Sequence, residues 1–278
     1  MLRTTRRRAH ELRWHDVGAA GLRWHGLTFT LDPRADGATE LVLWKSPALV
    51  AQYEAFWARE PGFTADHVFE LGVWKGGSLA FWAEALMPKR LVGIDLAPAS
   101  PSAAFDRYAA ARADHLRVRW GTDQSDRRRV REILDTDFDG PIDLAIDDAS
   151  HLYGPTRTSF ETIFPHLRPG GLYILEDWAW AHWIEFQPPT SPFAGQIPLT
   201  RLVSELVAIA GTADIVRRLT VQQGFVAVER GAGPLPDPFT VETAASWGPC
   251  PPPQSLRRLL RDLRAEVSAR VRAGLNIR

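Results

Sequence analysis

Short apolar runs alternate with amphipathic segments through the middle of the chain, and this alternation is the strongest constraint on its fold. Runs typical of buried strands occupy 68–71, 91–95, 116–120, 142–147 and 172–176. Helix-like patterns occupy 77–87, 102–113, 125–135, 155–167 and 199–211. Strands that alternate with helices form a parallel sheet that is covered on both faces. The sequence therefore predicts an α/β fold.

The last two predicted strands depart from this alternation. Segments 214–220 and 225–229 are separated only by Val221-Gln222-Gln223-Gly224. This connection is too short for a crossover, so the two strands must be antiparallel. A sheet that ends in such a hairpin differs from the dinucleotide-dehydrogenase pattern, in which parallel strands continue through a second half.

The flanking segments predict a division of the chain into three parts. Residues 1–64 are predicted to form an N-terminal extension with a short hairpin and a helix at 46–59, which would contact the substrate or another subunit. Residues 65–230 would form the catalytic domain. Residues 231–278 read as a Pro-rich linker and a final helix at 254–273, packed on the domain or on a second subunit. The predicted final helix is therefore compatible with a homo-oligomer.

Composition narrows the functional classes. The 278 residues carry 33 Lys and Arg against 33 Asp and Glu, so no global charge indicates a nucleic-acid partner. The single cysteine, Cys250, allows no intrachain disulfide framework. The N-terminus lacks the apolar core of a signal peptide, and no apolar stretch has the length of a membrane span. We expect a cytoplasmic protein with no nucleic-acid or membrane partner.

Acidic residues and a histidine lie directly after two of the predicted strands. The fourth strand ends in Asp147-Asp148-Ala149-Ser150-His151, and the fifth ends in Glu176-Asp177. Open α/β sheets bind their ligands at the carboxyl ends of strands. Clustered carboxylates can hold a divalent cation, and a nearby imidazole can accept a proton near neutral pH. A carboxylate at a strand end can also simply cap the next helix, so this alternative stays open for Asp147.

A glycine-rich turn follows the first strand, with the sequence Glu70-Leu71-Gly72-Val73-Trp74-Lys75-Gly76-Gly77-Ser78. Glycines let the backbone approach a ligand closely, and the following helix offers free N–H groups. Asp95 closes the second strand, where an acidic side chain can accept hydrogen bonds from ribose hydroxyls. Gly121-Thr122-Asp123-Gln124 closes the third. There is no Gly-Lys-Ser/Thr phosphate-binding motif, which disfavours ATP.

These motifs together resemble a class I S-adenosylmethionine-dependent methyltransferase over roughly residues 66–229. The E-x-G-x-x-x-G-G-S, G-x-D-Q, D-x-S-H and later E-D patterns are similar to cephalosporin hydroxylase-like proteins and to macrocin- and mycinamicin-type metal-dependent sugar O-methyltransferases. The resemblance implies a Rossmann-like, seven-stranded, mostly parallel sheet with strand order 3-2-1-4-5-7-6. It implies S-adenosylmethionine as cofactor, contacted by Glu70, Gly72, Gly76, Ser78, Asp95, Asp123, Gln124 and Asp147. Trp74 and Lys75 have bulky side chains for positions between the glycines of such a loop, and this departs from the pattern.

The same resemblance assigns the reacting centre. It implies Mg²⁺ held by Asp148, Glu176 and Asp177, with His151 as general base. Asp147 is the competing metal ligand and His182 the competing base. Three tryptophans, Trp178, Trp180 and Trp183, are expected either to stack on the acceptor or to pack in the core. The Pro-rich segment 186–198 is expected to be a lid or a plain surface connection.

The predicted function is Mg²⁺-dependent methylation of a sugar hydroxyl on a glycosylated natural product, in antibiotic biosynthesis. Two alternatives stay open at this point. One is a metal-independent methyltransferase that acts on a phenol or an amine, with His151 as base alone. The other is a non-catalytic, cofactor-binding subunit of a biosynthetic complex.

Overall fold

The computed structural model describes residues 17–18, 21–24, 26–212 and 214–245. The helix predicted at 254–273 lies outside the described residues, as does Cys250. None of the helices within these ranges combines the length and the apolar character needed to cross a bilayer.

The N-terminal segment forms a small sheet and one helix. Its strands are β1 (Val17–Gly18), β2 (Gly21–Trp24), β3 (Leu27–Thr30) and β4 (Leu41–Val42), paired in that order. Strands β2 and β3 form the predicted hairpin. Helix α1 (Pro47–Trp57) begins at Ser46, whose hydroxyl accepts a hydrogen bond from the Leu49 N–H at 3.1 Å. Pro47 occupies the first helical position, where its missing N–H costs nothing.

The central sheet has seven strands with helices between them. The strands are β5 (His67–Leu71), β6 (Arg90–Asp95), β7 (Leu116–Trp120), β8 (Ile142–Asp147), β9 (Leu167–Glu176), β10 (Val216–Val221) and β11 (Phe225–Arg230). The helices are α2 (Gly77–Leu86), α3 (Ala103–Ala110), α4 (Arg127–Asp137), α5 (Tyr153–Ile163), α6 (Thr200–Thr212) and α7 (Val241–Ala245).

Strand order confirms the predicted topology. The sheet runs β7-β6-β5-β8-β9-β11-β10, which is 3-2-1-4-5-7-6 when its own strands are numbered along the chain. Strands β5 to β9 pair in parallel, whereas β11 pairs antiparallel with both β9 and β10. The terminal hairpin is therefore present, and the sheet has the Rossmann-like strand order that the resemblance implies.

Strand β9 differs from its prediction in length. It begins at Leu167 instead of residue 172 and runs through Pro169-Gly170-Gly171. The pairing register with β8 shifts between Ile142 and Leu144, so the Pro-Gly-Gly stretch lies at an irregularity of the ladder. Helix α5 accordingly ends at Ile163, and a short 3₁₀ turn (Phe164–His166) leads into the strand.

Two apolar clusters cover the two faces of the central sheet. One contains Val68, Leu144 and Ile174 from the strands, together with residues of α1, α2 and the N-terminal sheet. The other contains Phe69, Ala145 and Tyr173 from the same strands, together with residues of α4, α5 and α6. Because neighbouring residues of a strand point to opposite faces, both clusters form from continuous apolar runs. The N-terminal segment thus shares its core with the central sheet.

Candidate active site

A cavity of about 860 Å³ opens at the carboxyl ends of the parallel strands. This lies within the size range of small-molecule sites, roughly 300–1,000 Å³. Its floor comes from the residues that follow each strand, namely 72–74, Asp95, 122–125, 148–152 and Asp177. Its walls are aromatic, with Trp44, Trp74, Trp180, Trp183, Phe186 and Phe193. The site that the sequence predicts at this edge of the sheet is therefore a real cavity.

The glycine-rich turn needs its glycines for packing as well as for ligand access. Gly72 has φ +88°, and a Cβ placed there would come 2.2 Å from the carbonyl oxygen of Asp148. Gly76 has φ +77°, precedes helix α2, and lies against the ring of Phe105. Gly72 and Ser78 line the cavity, whereas Gly76 does not. The turn is thus held directly against the loop that carries Asp148.

Asp95 organises this turn. Its Oδ2 accepts hydrogen bonds from the N–H groups of Val73 (2.8 Å) and Trp74 (2.7 Å), and its Oδ1 accepts one from Ala97 (2.7 Å). A carboxylate offers about four acceptor positions, so one stays open toward the cavity that Asp95 lines. Three amides therefore fix the orientation of the residue that is predicted to bind a ribose.

Glu70 is fully buried one residue before the end of β5. Within the described part of the chain, neither of its carboxylate oxygens has a partner at full hydrogen-bond geometry, although Ser78 lies close enough to lower its pKa. Burial raises the pKa of Glu70 to about 8, although the charge of Lys45 partly offsets this effect. A buried carboxylate without a partner is costly unless a cation reaches it. Glu70 does not itself line the cavity, so a positively charged ligand group would have to reach it from the cavity that Gly72 and Ser78 border.

Gln124 and Asp147 belong to a buried network beneath the cavity. Asp147 accepts hydrogen bonds from Tyr173 Oη (2.6 Å), Ser159 Oγ (2.7 Å) and Gln124 Nε2 (3.2 Å). Gln124 Oε1 accepts a hydrogen bond from the Ser150 N–H at 2.8 Å. Asp147 is 2% exposed and does not line the cavity, whereas Gln124 and Asp123 do. Asp147 therefore belongs to a hydrogen-bond network below the cavity floor, and its predicted cofactor contact and alternative metal coordination stay predictions.

Three of the predicted reacting residues converge. Asp148, His151 and Asp177 each offer a ligand atom, and these atoms lie within 4.8 Å of one another. All three line the cavity. The Nε2 atom of His151 is 3.8 Å from Asp148 Oδ1. The alternative base, His182, bonds to Thr200 instead and lies outside the cavity lining.

Unusual backbone conformations gather at this point. Among the described non-glycine residues, only Trp74, Met87, His151 and Asp177 have positive φ, and three of these four line the cavity. Each such residue costs about 1–3 kcal/mol and persists only where its surroundings enforce it. The loops after β5, β8 and β9 are therefore held in conformations that aim particular side chains inward.

Glu176 has partners that the sequence analysis missed. Both of its oxygens accept hydrogen bonds from Lys45 Nζ, at 2.7 and 2.6 Å, and Oε1 also accepts one from Tyr53 Oη at 2.6 Å. Lys45 Nζ donates in addition to Asp148 Oδ2 at 3.1 Å. Glu176 is 1% exposed and does not line the cavity. Its predicted role as a metal ligand thus competes with a buried ion pair.

The charges in this cluster shift the pKa values of its members. Burial would lower the pKa of Lys45, but the adjacent Asp148 and Glu176 carboxylates raise it overall, so the ammonium stays charged. Burial raises the pKa of Glu176, and so does the negative charge of Asp148. Burial likewise raises the pKa of Asp177, against the opposing effect of His151. The carboxylates of the site therefore form a negatively charged cluster that a cationic ligand would stabilise.

The tryptophans after β9 divide between two roles. Trp180 donates from Nε1 to the carbonyl oxygen of His151 at 2.7 Å, and its ring stacks on Phe193 with centroids 4.3 Å apart. Trp183 also lines the cavity. Trp178 donates to the carbonyl oxygen of Gln222 and packs on the core. Segment 186–198 contributes Phe186 and Phe193 to the wall, which supports the lid over the plain connection.

Part of the chain matches a known protein family. Residues 69–178 match the family described as "Methyltransferase domain". This segment of the chain is similar to a methyltransferase domain. The match supports the predicted class I methyltransferase and extends from β5 to the loop after β9, a segment that includes His151 and the predicted cofactor and metal residues.

Two O-methyltransferases are similar to part of this chain. The chain is 37% identical over 134 residues to a mycinamicin VI 2''-O-methyltransferase of Micromonospora griseorubida, covering 45% of this chain and 30% of that protein. It is 39% identical over 112 residues to an 8-demethyl-8-alpha-L-rhamnosyl tetracenomycin-C 2'-O-methyltransferase of Streptomyces olivaceus, covering 40% and 26%. The matched segment thus spans less than a third of either relative.

Among solved structures, the chain is similar to the MycE methyltransferase of the mycinamicin biosynthetic pathway, in complex with Mg, SAH and mycinamicin VI. The identity is 29%, the TM-score is 0.49, and the similarity covers 67% of this chain and 51% of that one.

Proposed function

We propose that the protein is an S-adenosylmethionine-dependent O-methyltransferase that methylates a sugar hydroxyl of a glycosylated natural product with the help of Mg²⁺. The observation that carries the proposal is the convergence of Asp148, His151 and Asp177 in the cavity of a methyltransferase domain. Both relatives named above are O-methyltransferases, and the name of the second specifies a rhamnosyl compound, which supports a glycosylated acceptor here.

The residues present fit S-adenosylmethionine. Its ammonium group would satisfy the buried Glu70 carboxylate. Its ribose hydroxyls would reach the open acceptor position of Asp95. Ser78 at the start of α2, together with Asp123 and Gln124 after β7, borders the remaining space. The N-terminal turn of α2 adds free N–H groups, which favour a carboxylate.

The residues also fit a divalent cation. Asp148 and Asp177 supply the carboxylate oxygens that Mg²⁺ prefers, and both face the cavity. Mg²⁺ bound there would act as a Lewis acid toward the acceptor hydroxyl and favour its ionised form. The cluster is negatively charged and the pKa of Asp177 is raised, so a bound cation would stabilise the ionised carboxylates.

His151 is proposed as the general base. An alcohol is a weak nucleophile because its pKa lies far above 7, so its proton must leave as the oxygen attacks the sulfonium methyl group. His151 Nε2 faces the cavity beside Asp148 and would accept that proton. Asp148 would stabilise the imidazolium that forms. The hydrogen bond from Trp180 holds the backbone of this residue in place.

A matched pair of histidine variants tests the base. His151→Ala should lower methyl transfer by about 10²–10⁴-fold, the usual contribution of a general base. S-adenosylhomocysteine affinity, measured by calorimetry, should stay nearly unchanged. His182→Ala is the control, because His182 lies outside the cavity, and it should retain activity. Loss of cofactor affinity in His151→Ala would instead give His151 a structural role.

Metal-independent methyl transfer is the second candidate. The observation that favours it is the Lys45 ammonium, 3.1 Å from Asp148 Oδ2, which already supplies positive charge to the carboxylate cluster. In that mechanism His151 would act alone on a more acidic hydroxyl, such as a phenol. The two candidates differ in their response to a chelator.

A further inference from the structure

Trp180 connects the loop after β9 to the loop after β8. It begins a short 3₁₀ turn (Trp180–His182), three residues after Asp177. Its backbone N–H donates to the carbonyl oxygen of Asp177 at 3.4 Å, and its indole Nε1 donates to the carbonyl oxygen of His151 at 2.7 Å. One residue therefore contacts the backbone of both a proposed metal ligand and the proposed base.

The two residues that Trp180 contacts have unusual backbone conformations. His151 has φ +55° and Asp177 has φ +48°. Residues with a side chain adopt this left-handed region only where their surroundings enforce it. Because a peptide unit is planar, a hydrogen bond to the carbonyl oxygen of His151 restrains the ψ angle of that residue. The indole of Trp180 thus helps to enforce the conformation that carries the imidazole to the cavity.

The indole group is itself fixed in place. Trp180 is 4% exposed, and its ring stacks on Phe193 with centroids 4.3 Å apart and an angle of 27° between the ring planes. Phe193 in turn contacts Phe186, with centroids 5.1 Å apart. Close packing of this kind leaves a buried ring little freedom to turn. The indole N–H is therefore a rigid donor to the carbonyl oxygen of His151.

Trp178 makes the same kind of hydrogen bond without reaching the reacting centre. Its indole Nε1 donates to the carbonyl oxygen of Gln222 at 2.9 Å. Trp178 packs on the apolar core and does not line the cavity. The two tryptophans therefore differ in the carbonyl group that they hold, and Trp178 is the matched control for Trp180.

We propose that Trp180 is a positioning residue for methyl transfer, whose indole N–H holds the backbone of His151 so that the imidazole Nε2 reaches the acceptor hydroxyl. This inference rests on the proposed role of His151 as general base. A base works only within hydrogen-bond reach of the proton that it removes, so a small displacement of the imidazole has a large effect on the rate. Trp180 then contributes to catalysis without taking part in the proton transfer.

Two tryptophan variants of the full chain test the proposal. Trp180→Phe and Trp178→Phe each remove one indole N–H and keep an aromatic ring, which at position 180 can still stack on Phe193. Steady-state methyl transfer to a rhamnosylated tetracenomycin is measured with Mg²⁺ present. Trp180→Phe should lower kcat by about 10–100-fold, because a displacement of about 1 Å can cost that much. Its acceptor KM and its affinity for S-adenosylhomocysteine should stay within about threefold of the wild type, as should the kcat of Trp178→Phe.

A double-variant cycle with His151→Ala shows whether Trp180 acts through the base. Once the imidazole is absent, the indole N–H has no base to position. The double variant Trp180→Phe/His151→Ala should therefore stay within about threefold of His151→Ala alone. If Trp180→Phe lowers kcat by the same factor in both backgrounds, or raises KM while kcat stays unchanged, the tryptophan has a general structural role or contacts the acceptor, and the inference is wrong.

Two further outcomes separate this inference from the proposed function. If His151→Ala transfers methyl groups at the wild-type rate, the proposed base fails and the inference fails with it. If His151→Ala is slow but Trp180→Phe matches Trp178→Phe, only the inference fails.

Crystal structures with S-adenosylhomocysteine decide the matter where the wild type does not methylate the chosen acceptor. In Trp180→Phe, the imidazole of His151 should move by about 1 Å or more, whereas Trp178→Phe should keep its wild-type position. An unmoved imidazole in Trp180→Phe would overturn the inference. Should Trp180→Phe not fold, a benzothiophene analogue of tryptophan at position 180 removes the N–H at nearly constant shape, and the same results are expected of it.

Discussion

Adjacent acidic residues perform different tasks in this site. Asp147 is the last residue of β8 and points into the buried network of Tyr173, Ser159 and Gln124. Asp148 is the next residue and faces the cavity. The alternation of side chains along a strand explains why the two carboxylates separate. The sequence alone leaves open which of them faces the ligand, because both faces of this sheet are covered.

Exchanging each aspartate for asparagine tests this division. Asp147→Asn replaces an acceptor of three hydrogen bonds by an amide, so we expect a loss of about 1–3 kcal/mol in the free energy of unfolding. Asp148→Asn should leave the free energy of unfolding within about 1 kcal/mol, because its carboxylate is partly exposed, yet should abolish methyl transfer. Urea unfolding measures the stability of the two variants, and a methyl-transfer assay measures their activity. Equal loss of stability in both variants would contradict the assignment.

Glu70 predicts a pH dependence of cofactor binding. Its pKa of about 8 lies above the ordinary value near 4.3, so the folded protein without cofactor holds this carboxyl protonated at neutral pH. Its stabilising contribution is complete below the ordinary pKa and is lost as pH rises toward 8. A cationic ligand binds the ionised form. Affinity for S-adenosylhomocysteine should therefore rise with pH, by at most about tenfold per unit, and level off above pH 8.

Calorimetry across pH 6 to 9 checks this expectation, and Glu70→Gln serves as control. The variant has no carboxyl to ionise and should show a much flatter profile at lower affinity. A flat profile for the wild type would mean that Glu70 does not meet the ammonium group of the cofactor.

At the scale of elements, the glycine-rich turn and the loop after β8 act as one unit. Gly72 touches the carbonyl oxygen of Asp148, so the cofactor loop and the proposed metal loop are in van der Waals contact. Trp74 and His151, with positive φ, lie in the same two loops. A change in one loop should therefore affect the other.

Alanine at Gly72 tests this coupling, with Gly62→Ala as control. Both positions have positive φ, but a Cβ at Gly62 meets nothing within 4 Å. Gly62→Ala should cost only the conformational penalty, about 1–2 kcal/mol. Gly72→Ala adds a clash with backbone at 2.2 Å, so it should cost more and should weaken both cofactor and Mg²⁺ binding. Similar unfolding free energies for the two variants would exclude the clash as the dominant effect.

Most elements could be predicted from sequence because periodicity is a local signal. The five parallel strands, the terminal hairpin and the helices all follow from it. The early start of β9 could not be predicted, since Pro169-Gly170-Gly171 reads as a boundary and the register shift with β8 depends on a neighbouring strand. Lys45 and Tyr53 were missed for a similar reason. They lie 131 and 123 residues from Glu176 in sequence and belong to no motif.

At the scale of the whole molecule, the N-terminal segment is built into the methyltransferase domain. Tyr53 and Trp57 pack on Trp82 of α2, and Leu22, Phe29 and Leu43 join the same apolar cluster. The segment also covers one face of the central sheet. The boundary near residue 65 predicted from sequence therefore crosses a shared core.

Truncation tests whether residues 65–245 are independent. We expect this fragment to be poorly folded, because removing the segment exposes buried aromatic rings and leaves Glu176 without Lys45 and Tyr53. Circular dichroism and urea unfolding are used to compare the folding and stability of the fragment with those of the full chain. A fragment that unfolds cooperatively with the stability of the full chain would show that the division is a true domain boundary.

The central claim is metal-assisted methyl transfer, and chelation tests it most directly. Transfer of a labelled methyl group from S-adenosylmethionine to a glycosylated polyketide, such as mycinamicin VI or a rhamnosylated tetracenomycin, is measured by mass spectrometry with and without EDTA. The account predicts that EDTA removes activity and that excess Mg²⁺ restores it, because Asp148 and Asp177 then regain their cation. Full activity in EDTA would contradict it and would favour metal-independent transfer with His151 as base alone.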